Sequence, residues 1–438
     1  MIKIHIIHVG TMDNKGTQAL LMSDVYLLKK FFKDSLISVS TTDVEGTKKL
    51  NLPLEKIVPT IVDIPFKRAD VLSKKAGIER DELKYKFLII FGLLVMMVQT
   101  FLSLFSALFT KVGLKPFYRG EVFRQIKTCD LVISCSDENF KESASILPTN
   151  FHWTVTWWSI LFERMFEVLM VKFFGKPIIM FPNSVGPFKT RLGSLLSKVA
   201  LNRFSYLLLR DRFSYETVKA LGIHPPKDLT ADVALLLRRN SNFSGKEEGA
   251  PLIGVSPGVY SHSLSAEDIK KYVMAHAVAL DAAIEKYGFT VLFLPHYISG
   301  FKFDDLEISK LILQSMRNRD SAKIIETSSV DKFKSILEDL DILISSKMHP
   351  AVLGLSSFIP TLCIAYDRKQ IGLFNHLNMM GLVVNMREVN PDIIFSKVSF
   401  LWKNKEEVRR LLNEKIPLLQ NNTEKTLKRV LYNAVKLK

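Results

Sequence analysis

DILISSKMHPAVLGLSSFIPTLCIAYDRKQIGLF, residues 341–374, reads as strand, helix, strand and helix in succession. DILISS (341–346) and PTLCIAY (360–366) are continuous apolar runs, the pattern of parallel strands buried on both faces. Between them a helix is expected to start at or just after His349, with Pro350 in its first turn. Parallel strands joined by helices imply an open sheet, and such sheets bind ligands beyond the carboxyl ends of their strands. Ser345, Ser346, Lys347 and His349 stand at one such end, where free amides and the positive end of the helix dipole favour an anion.

The same alternation extends in both directions. KIHIIHV (3–9), LISVSTT (36–42), KIVPTIV (56–62), LVISCS (131–136), KPIIMFPNS (176–184) and YLLLRD (206–211) form one series of strand-length runs. LIGVSPG (252–258), TVLFLPH (290–296), KIIET (323–327) and LVVN (382–385) complete a second. The polar stretch RRNSNFSGKEEGA around 238–250 separates them. The reading is an α/β chain with domains at 1–240 and 250–400. A basic helical tail follows at 401–438, with Leu411, Leu412, Leu418 and Leu419 facing a core. Two Rossmann-like units with a closing C-terminal helix suggest a GT-B-like arrangement, with an active site in the cleft between them.

The chain has 438 residues, 47% of them hydrophobic, and a formal charge of +16. That excess favours anionic partners. With no zinc-finger spacing and no basic strip interleaved with aromatics, nucleic acid is not expected among them. Nine histidines without HxxxH or HExxH spacing give no metal signature. Three scattered cysteines suit a reducing compartment, and the N-terminus lacks a signal-peptide layout, so a cytoplasmic location is expected.

Residues 87–110, FLIIFGLLVMMVQTFLSLFSALFT, carry no charge and lie between Lys84 and Lys86 on one side and Lys111 and Lys115 on the other. The length suffices for a membrane span, but a span would divide the first sheet between two compartments. A helix dipping into one leaflet and a buried core helix are the other readings; the basic flanks suit the former, a peripheral or monotopic contact at the inner face of the cell membrane. WTVTWWSILFERMFEVLMVKFF (153–174) is helical, with Glu163, Arg164, Glu167 and Lys172 as its few charges. Its tryptophans, Trp153, Trp157 and Trp158, suit packing or a second membrane contact.

Other strand exits add candidates. GTMDNKGTQAL (10–20) offers Asn14 and Gly16 at a turn into a helix. AYDRKQIGLF (365–374) offers Arg368 and Lys369, suited to carboxylate or phosphate. Arg210 and Asp211 precede a helix expected to be capped by Ser214. Asp232, entering an apolar run, reads as a base or a cap.

Taken together, these segments resemble the polysaccharide pyruvyl transferase family. DNKGTQAL is similar to its N-x-G-x-x-A loop, and SVGPF to its G-P exit. RDRFSYETVKALGI and DLTADVALLL resemble its R-D-x-x-S and D-x-A segments, and ISSKMHPAVL and AYDRK its S-x-R-x-H helix start and Y-D-x-K exit. Lys347 stands where the family commonly has arginine, and SCSDENF (134–140) where many members carry a glycine-rich run. The resemblance implies transfer of a pyruvyl group from phosphoenolpyruvate, as donor substrate without a further cofactor, to a sugar or lipid-linked oligosaccharide. It implies His349 as general acid and Asp232 as base. Lys347, Ser346, Arg368, Lys369, Arg210, Asn14 and Gly16 would bind substrate. A GT-B glycosyltransferase with a nucleotide-sugar donor is the rival reading, and a silent, membrane-docked assembly protein a third.

Overall fold

The computed structural model describes residues 1–78, 82–142, 151–237, 249–259, 264–300 and 302–436, with backbone alone at 151–153. It divides into two units: residues 1–12, 20–231 and 423–438 form the first, and 13–19 with 232–422 the second. The division differs from the expected 1–240, 250–400 and 401–438. The tail is shared between the two units, up to residue 422 in the second and from 423 in the first, and the turn after the first strand belongs to the second unit. Most of the boundary stretch, 238–248, lies outside the described residues.

The first unit begins with β1 (Lys3–Val9), most of α1 (Lys15–Phe31), β2 (Leu36–Thr41), α2 (Val44–Lys49) and β3 (Lys56–Pro59). Three helices follow, α3 (Pro65–Ala76), α4 (Leu83–Lys111) and α5 (Gly120–Thr128), then β4 (Leu131–Ser134) and α6 (Phe151–Phe173). β5 (Ile178–Asn183), α7 (Arg191–Leu201), β6 (Tyr206–Leu209), α8 (Arg212–Ala220) and β7 (Lys227–Leu229) complete the sheet. Its order is β3-β2-β1-β4-β5-β6-β7, and every pairing is parallel. β7 escaped the sequence reading because KDL is short, polar and only partly covered at the sheet edge.

The second unit holds β8 (Leu252–Ser256), α9 (Ala266–Tyr287), β9 (Thr290–Phe293), α10 (Asp305–Ser315), β10 (Ala322–Ile324) and α11 (Val330–Glu338). It continues with β11 (Ile342–Ser345), α12 (Met348–Ser356), β12 (Thr361–Ala365), α13 (Arg368–His376) and β13 (Val383–Asn385). The order is β10-β9-β8-β11-β12-β13, again all parallel. In both sheets the winding direction reverses beside the first strand, between β1 and β4 and between β8 and β11. Two helices close the chain, α14 (Pro391–Lys403) and α15 (Lys405–Lys436). On α15, Val408, Leu412 and Ile416 form the buried stripe, whereas Leu418 is exposed. Leu418 was expected to face a core; it lies two residues past Ile416, off the i, i+4 face.

α4 is the apolar stretch, and it inverts the usual polarity of a surface helix. Its inner face carries Gly92, Met96, Gln99, Ser103 and Ser106, while Phe87, Leu94, Met97 and Phe101 point outward, 58% to 69% exposed. Only 28% of its most apolar window is buried, so it is not a core helix. Nor does it cross a bilayer alone, because β1 pairs both with β2 before it and β4 after it. Hydroxyls and an amide on the inner face serve neighbouring backbone. Ser106 donates to the Tyr118 carbonyl at 2.6 Å, and Gln99 accepts from the Asp63 amide at 2.8 Å.

Gly92 permits this seat: a Cβ there would stand 2.9 Å from Pro65 Cα. Gly92→Val should therefore force α3 and α4 apart and lower stability by ~1–3 kcal/mol, the usual cost of overpacking. Urea unfolding measures it, and an unchanged midpoint would contradict the close packing.

Candidate active site

β11 occupies the centre of the second sheet, between β8 and β12, so its carboxyl end opens at the point where the winding reverses. Ser345 turns the chain there: its Oγ donates to the Lys347 carbonyl at 2.8 Å and accepts from the Lys347 amide at 3.2 Å. α12 starts at Met348, one residue ahead of the expected start, with Lys347 in the cap position and no side-chain cap. His349 and Pro350 are its second and third residues.

Three contacts define the surroundings of His349. Gly16, in the second residue of α1, lies so close that a Cβ there would fall 2.2 Å from His349 Nδ1. Asn14 Oδ1 accepts from the Gly16 amide at 2.9 Å and shapes that turn. The ring of His296, just beyond β9, lies nearly parallel to that of His349, with centroids 6.2 Å apart. The structure thus brings together Asn14 and Gly16 with Ser346, Lys347 and His349, more than three hundred positions later in the chain, in one unit.

Lys347 is not a free cation. Its stem passes over Gly258, where a Cβ would fall 2.0 Å from Cε, and its ammonium pairs with buried Asp305 at 2.9 Å. Burial works against the charge on Lys347, but Asp305 outweighs it and holds the ammonium protonated. Breaking such a pair costs more than the pair contributes, because one charge stays buried. Ser346 Oγ is likewise engaged, with Tyr272 Oη at 2.5 Å. Burial pushes the Tyr272 hydroxyl well above its ordinary range, so it remains a neutral donor.

Two residues here were not singled out in the sequence. Lys15 is buried, and its ammonium donates to the carbonyls of Pro295 and His296 at 3.2 and 3.0 Å. Burial lowers its pKa, with Asp305 and Glu326 opposing. His296 is buried too, and its Nε2 has no hydrogen-bond partner among the described residues. Burial, reinforced by His349, Lys15 and Lys347, pushes His296 far down, so it is neutral at ordinary pH. Histidine at a strand exit (TVLFLPH) was the available signal; nothing local pointed to Lys15, which reads as a solvated turn cation.

At the next strand exit Asp367 caps α13, with Gln370 closing a capping box. Arg368 is exposed and Lys369 half-buried in its first turn. Gln370 Nε2 donates to the Ser346 carbonyl at 3.2 Å, tying this turn to the β11 exit. Asp232 is placed as a cap: its Oδ1 accepts from the Ala234 amide at 2.9 Å, starting a short 3-10 helix that packs on α12.

Arg210 belongs to the first unit. Its side chain is buried, donating Nε to Ser184 Oγ at 2.9 Å and pairing with Glu138 at 3.3 Å. Ser184 and Ser214 hydroxyls both donate to Asp211 Oδ2. The SVGPF and RDRFS segments are therefore one interlocked device joining the exits of β5 and β6. Asp211, not Ser214, caps α8.

At the reversal point of the first sheet sits a cluster that the sequence reading passed over. His8, the penultimate residue of β1, lies in the left-handed region (φ 67°), its Nδ1 2.9 Å from Ser134 Oγ and its Nε2 3.7 Å from Glu167. Glu163, Arg164 and Glu167, three of the four charges of α6, are buried beside it. Burial, then the charge of Glu163, lifts Glu167 to about 8. Trp158 of the same helix donates to Glu142 and Thr190, a packing role; the Trp153 side chain lies outside the described residues.

Residues 19–368 match the family described as polysaccharide pyruvyl transferase. The chain belongs to that family. It is also 22% identical, over 271 residues, to the amylovoran biosynthesis protein AmsJ of Erwinia amylovora; the match spans 57% of this chain and 63% of AmsJ. Among solved structures it resembles HepE of Anabaena in complex with UDP, with a TM-score of 0.57, 8% identity and full coverage of both chains. UDP-GlcNAc 2-epimerase from Neisseria meningitidis bound to UDP-GlcNAc gives 0.56 at 12% identity, over 99% of this chain and 100% of that one. These likenesses establish the fold, two parallel-sheet α/β domains of the GT-B class with a helical C-terminus.

The contact between Gly16 and His349 yields a test. Alanine is the better helix former by roughly 1 kcal/mol, so Gly16→Ala should leave the protein folded while displacing the imidazole. Turnover should fall to the level of His349→Ala, and the double variant should lose nothing further. Unimpaired turnover in Gly16→Ala, with unaltered melting, would show that the close approach has no bearing on the reaction.

Proposed function

We propose that the protein transfers a pyruvyl group from phosphoenolpyruvate to a sugar of a cell-surface polysaccharide or its lipid-linked precursor, forming a cyclic ketal. Membership of the family supports the reading. The observation that carries it is His349 at the start of an uncapped helix, seated on Gly16 and alongside neutral His296.

Phosphoenolpyruvate brings a phosphate and a carboxylate, and α12's positive end with Arg368 and Lys369 answers both. Lys347, neutralised by Asp305, acts by shaping the turn rather than as a free charge. His349 gives a proton to the enol methylene, and a sugar hydroxyl attacks the central carbon, releasing its own proton. The bond from that carbon to the phosphate oxygen then breaks, inorganic phosphate leaves, and a second hydroxyl closes the ketal, its proton passing to His349 and restoring the imidazolium. An imidazole suits the proton transfer because its ordinary pKa lies near neutrality. Asp232, the other catalytic candidate, is engaged as a cap, so His349 bears the weight of the proposal. The work is done on the cytoplasmic side, with the protein in peripheral contact with the membrane.

Thermal melting with phosphoenolpyruvate, UDP and phosphate titrated separately tests the donor, since a ligand bound only to the folded state raises the melting temperature. Phosphoenolpyruvate should stabilise more than phosphate, and Arg368→Ala/Lys369→Ala should weaken its binding on the order of tenfold. His349→Ala should abolish transfer without loss of folding. Stabilisation by UDP alone would overturn the proposal in favour of a nucleotide-sugar glycosyltransferase.

A further inference from the structure

The first unit has a cavity of about 420 Å³ at the carboxyl ends of β2 and β3, walled by Thr41, Thr42, Pro59 and Thr60 and by the first turns of α3. Three cations line it, Lys67, Arg68 and Arg119, against one carboxylate, Asp63. Asp63 is fixed from three sides, by Arg119 at 2.6 Å, Arg68 at 3.1 Å and Gln99 Nε2 at 2.8 Å. Burial raises its carboxyl, but Arg119, Gln99 and Arg68 outweigh that and leave it below the ordinary value. Three positive charges against one negative leave the lining doubly positive.

Lys67 donates to Thr42 Oγ1. Burial, with the charge of Arg164, draws it down to about 8, against Glu163, Asp43 and Asp137. A bound anion would favour the charged form that burial disfavours. Arg119 donates to the Thr60 carbonyl as well as to Asp63, so the cavity wall is stiff.

The cavity's remaining wall is apolar and leads outward. Val71 and Leu72 of α3 line it and are 55% and 40% exposed. α3 packs against α4, whose outer face exposes Phe87, Phe91, Leu94, Met97, Val98 and Phe101. Gln99 joins the two features directly: it belongs to α4 and its amide holds Asp63 in the cavity. An exposed apolar face of this length, with small and polar residues turned inward, suits acyl chains rather than water. Exposed Lys84, Lys86, Lys111 and Lys115 at its two ends match an anionic headgroup layer.

Resting on the proposed acceptor chemistry, we propose that α3 and α4 lie in one leaflet of an anionic bilayer and that the Lys67–Arg68–Arg119 cavity holds the diphosphate of a polyprenyl-linked acceptor sugar. The prenyl chain would leave along Val71 and Leu72 into the leaflet, and the sugar would project over the strand ends.

Binding, independent of turnover, tests this. Full-length protein is floated with vesicles of phosphatidylcholine, of phosphatidylcholine with phosphatidylglycerol, and of phosphatidylcholine with a long-chain polyprenyl diphosphate. Farnesyl diphosphate, farnesol and inorganic diphosphate are titrated in solution. Leu94→Glu/Phe101→Glu should abolish flotation yet keep farnesyl diphosphate affinity. Lys67→Met/Arg68→Met should still float with phosphatidylglycerol but bind farnesyl diphosphate on the order of tenfold more weakly, with cooperative melting as the check on folding. Unchanged farnesyl diphosphate affinity in that variant, or equal binding of farnesol, would overturn the cavity assignment. Flotation unaffected by the two glutamates, or a stable dimer that covers α4 and binds no vesicle, would overturn the membrane seat. Farnesyl diphosphate binding without any response to phosphoenolpyruvate would sink the pyruvyl reading while leaving the cavity intact.

Discussion

A parallel sheet can pass its chain onward only at one edge, and that constraint organises both units. Every strand pairing in the two sheets is parallel. Helix starts, turn hydroxyls and cations therefore accumulate at the carboxyl edges, and the helices leaving the two sides diverge where the winding reverses. The β8–β11 reversal holds Gly258, Ser346 and Lys347; the β1–β4 reversal holds His8 and Ser134. The chemistry collects where the topology leaves room.

Charge inside these units is managed in two ways. Lys347 with Asp305 and Arg210 with Glu138 are buried pairs that fix strand exits and leave little net charge for a ligand. In the cavity around Lys67 the lining is left positive, with three cations against the one carboxylate of Asp63. The departure of Lys347 from the family's usual arginine fits this division. A lysine stem threads past Gly258 to a point partner, a task that needs no planar fork.

The strands were legible because parallel-sheet burial demands continuous apolar runs, as in IHIIHV or LVIS. β7 was not, since Lys227 and Asp228 on an edge strand carry no such signature. The apolar run at 87–110 was plain, yet which face it buries had to be read from Gly92, Met96, Gln99, Ser103 and Ser106, spaced alternately four and three apart. That stripe was present in the sequence as a small-residue seam within a bulky run. His349 was legible through its place at the start of a helix. Its neighbours were not: Gly16, Lys15 and His296 reach it only through tertiary structure, and Asp305 lies forty-two positions from the lysine it neutralises. Similarly, the charges of α6 were visible, but not that Arg164 and Glu167 meet His8.

The central claim is that the β11–α12 junction receives the donor, and a crystal structure of the protein soaked with phosphoenolpyruvate tests it most directly. The account predicts the ligand's anionic groups at the first turns of α12 and α13, with its methylene carbon towards the His349 ring. Ligand density confined to the first unit, or none at saturating concentration, would contradict it.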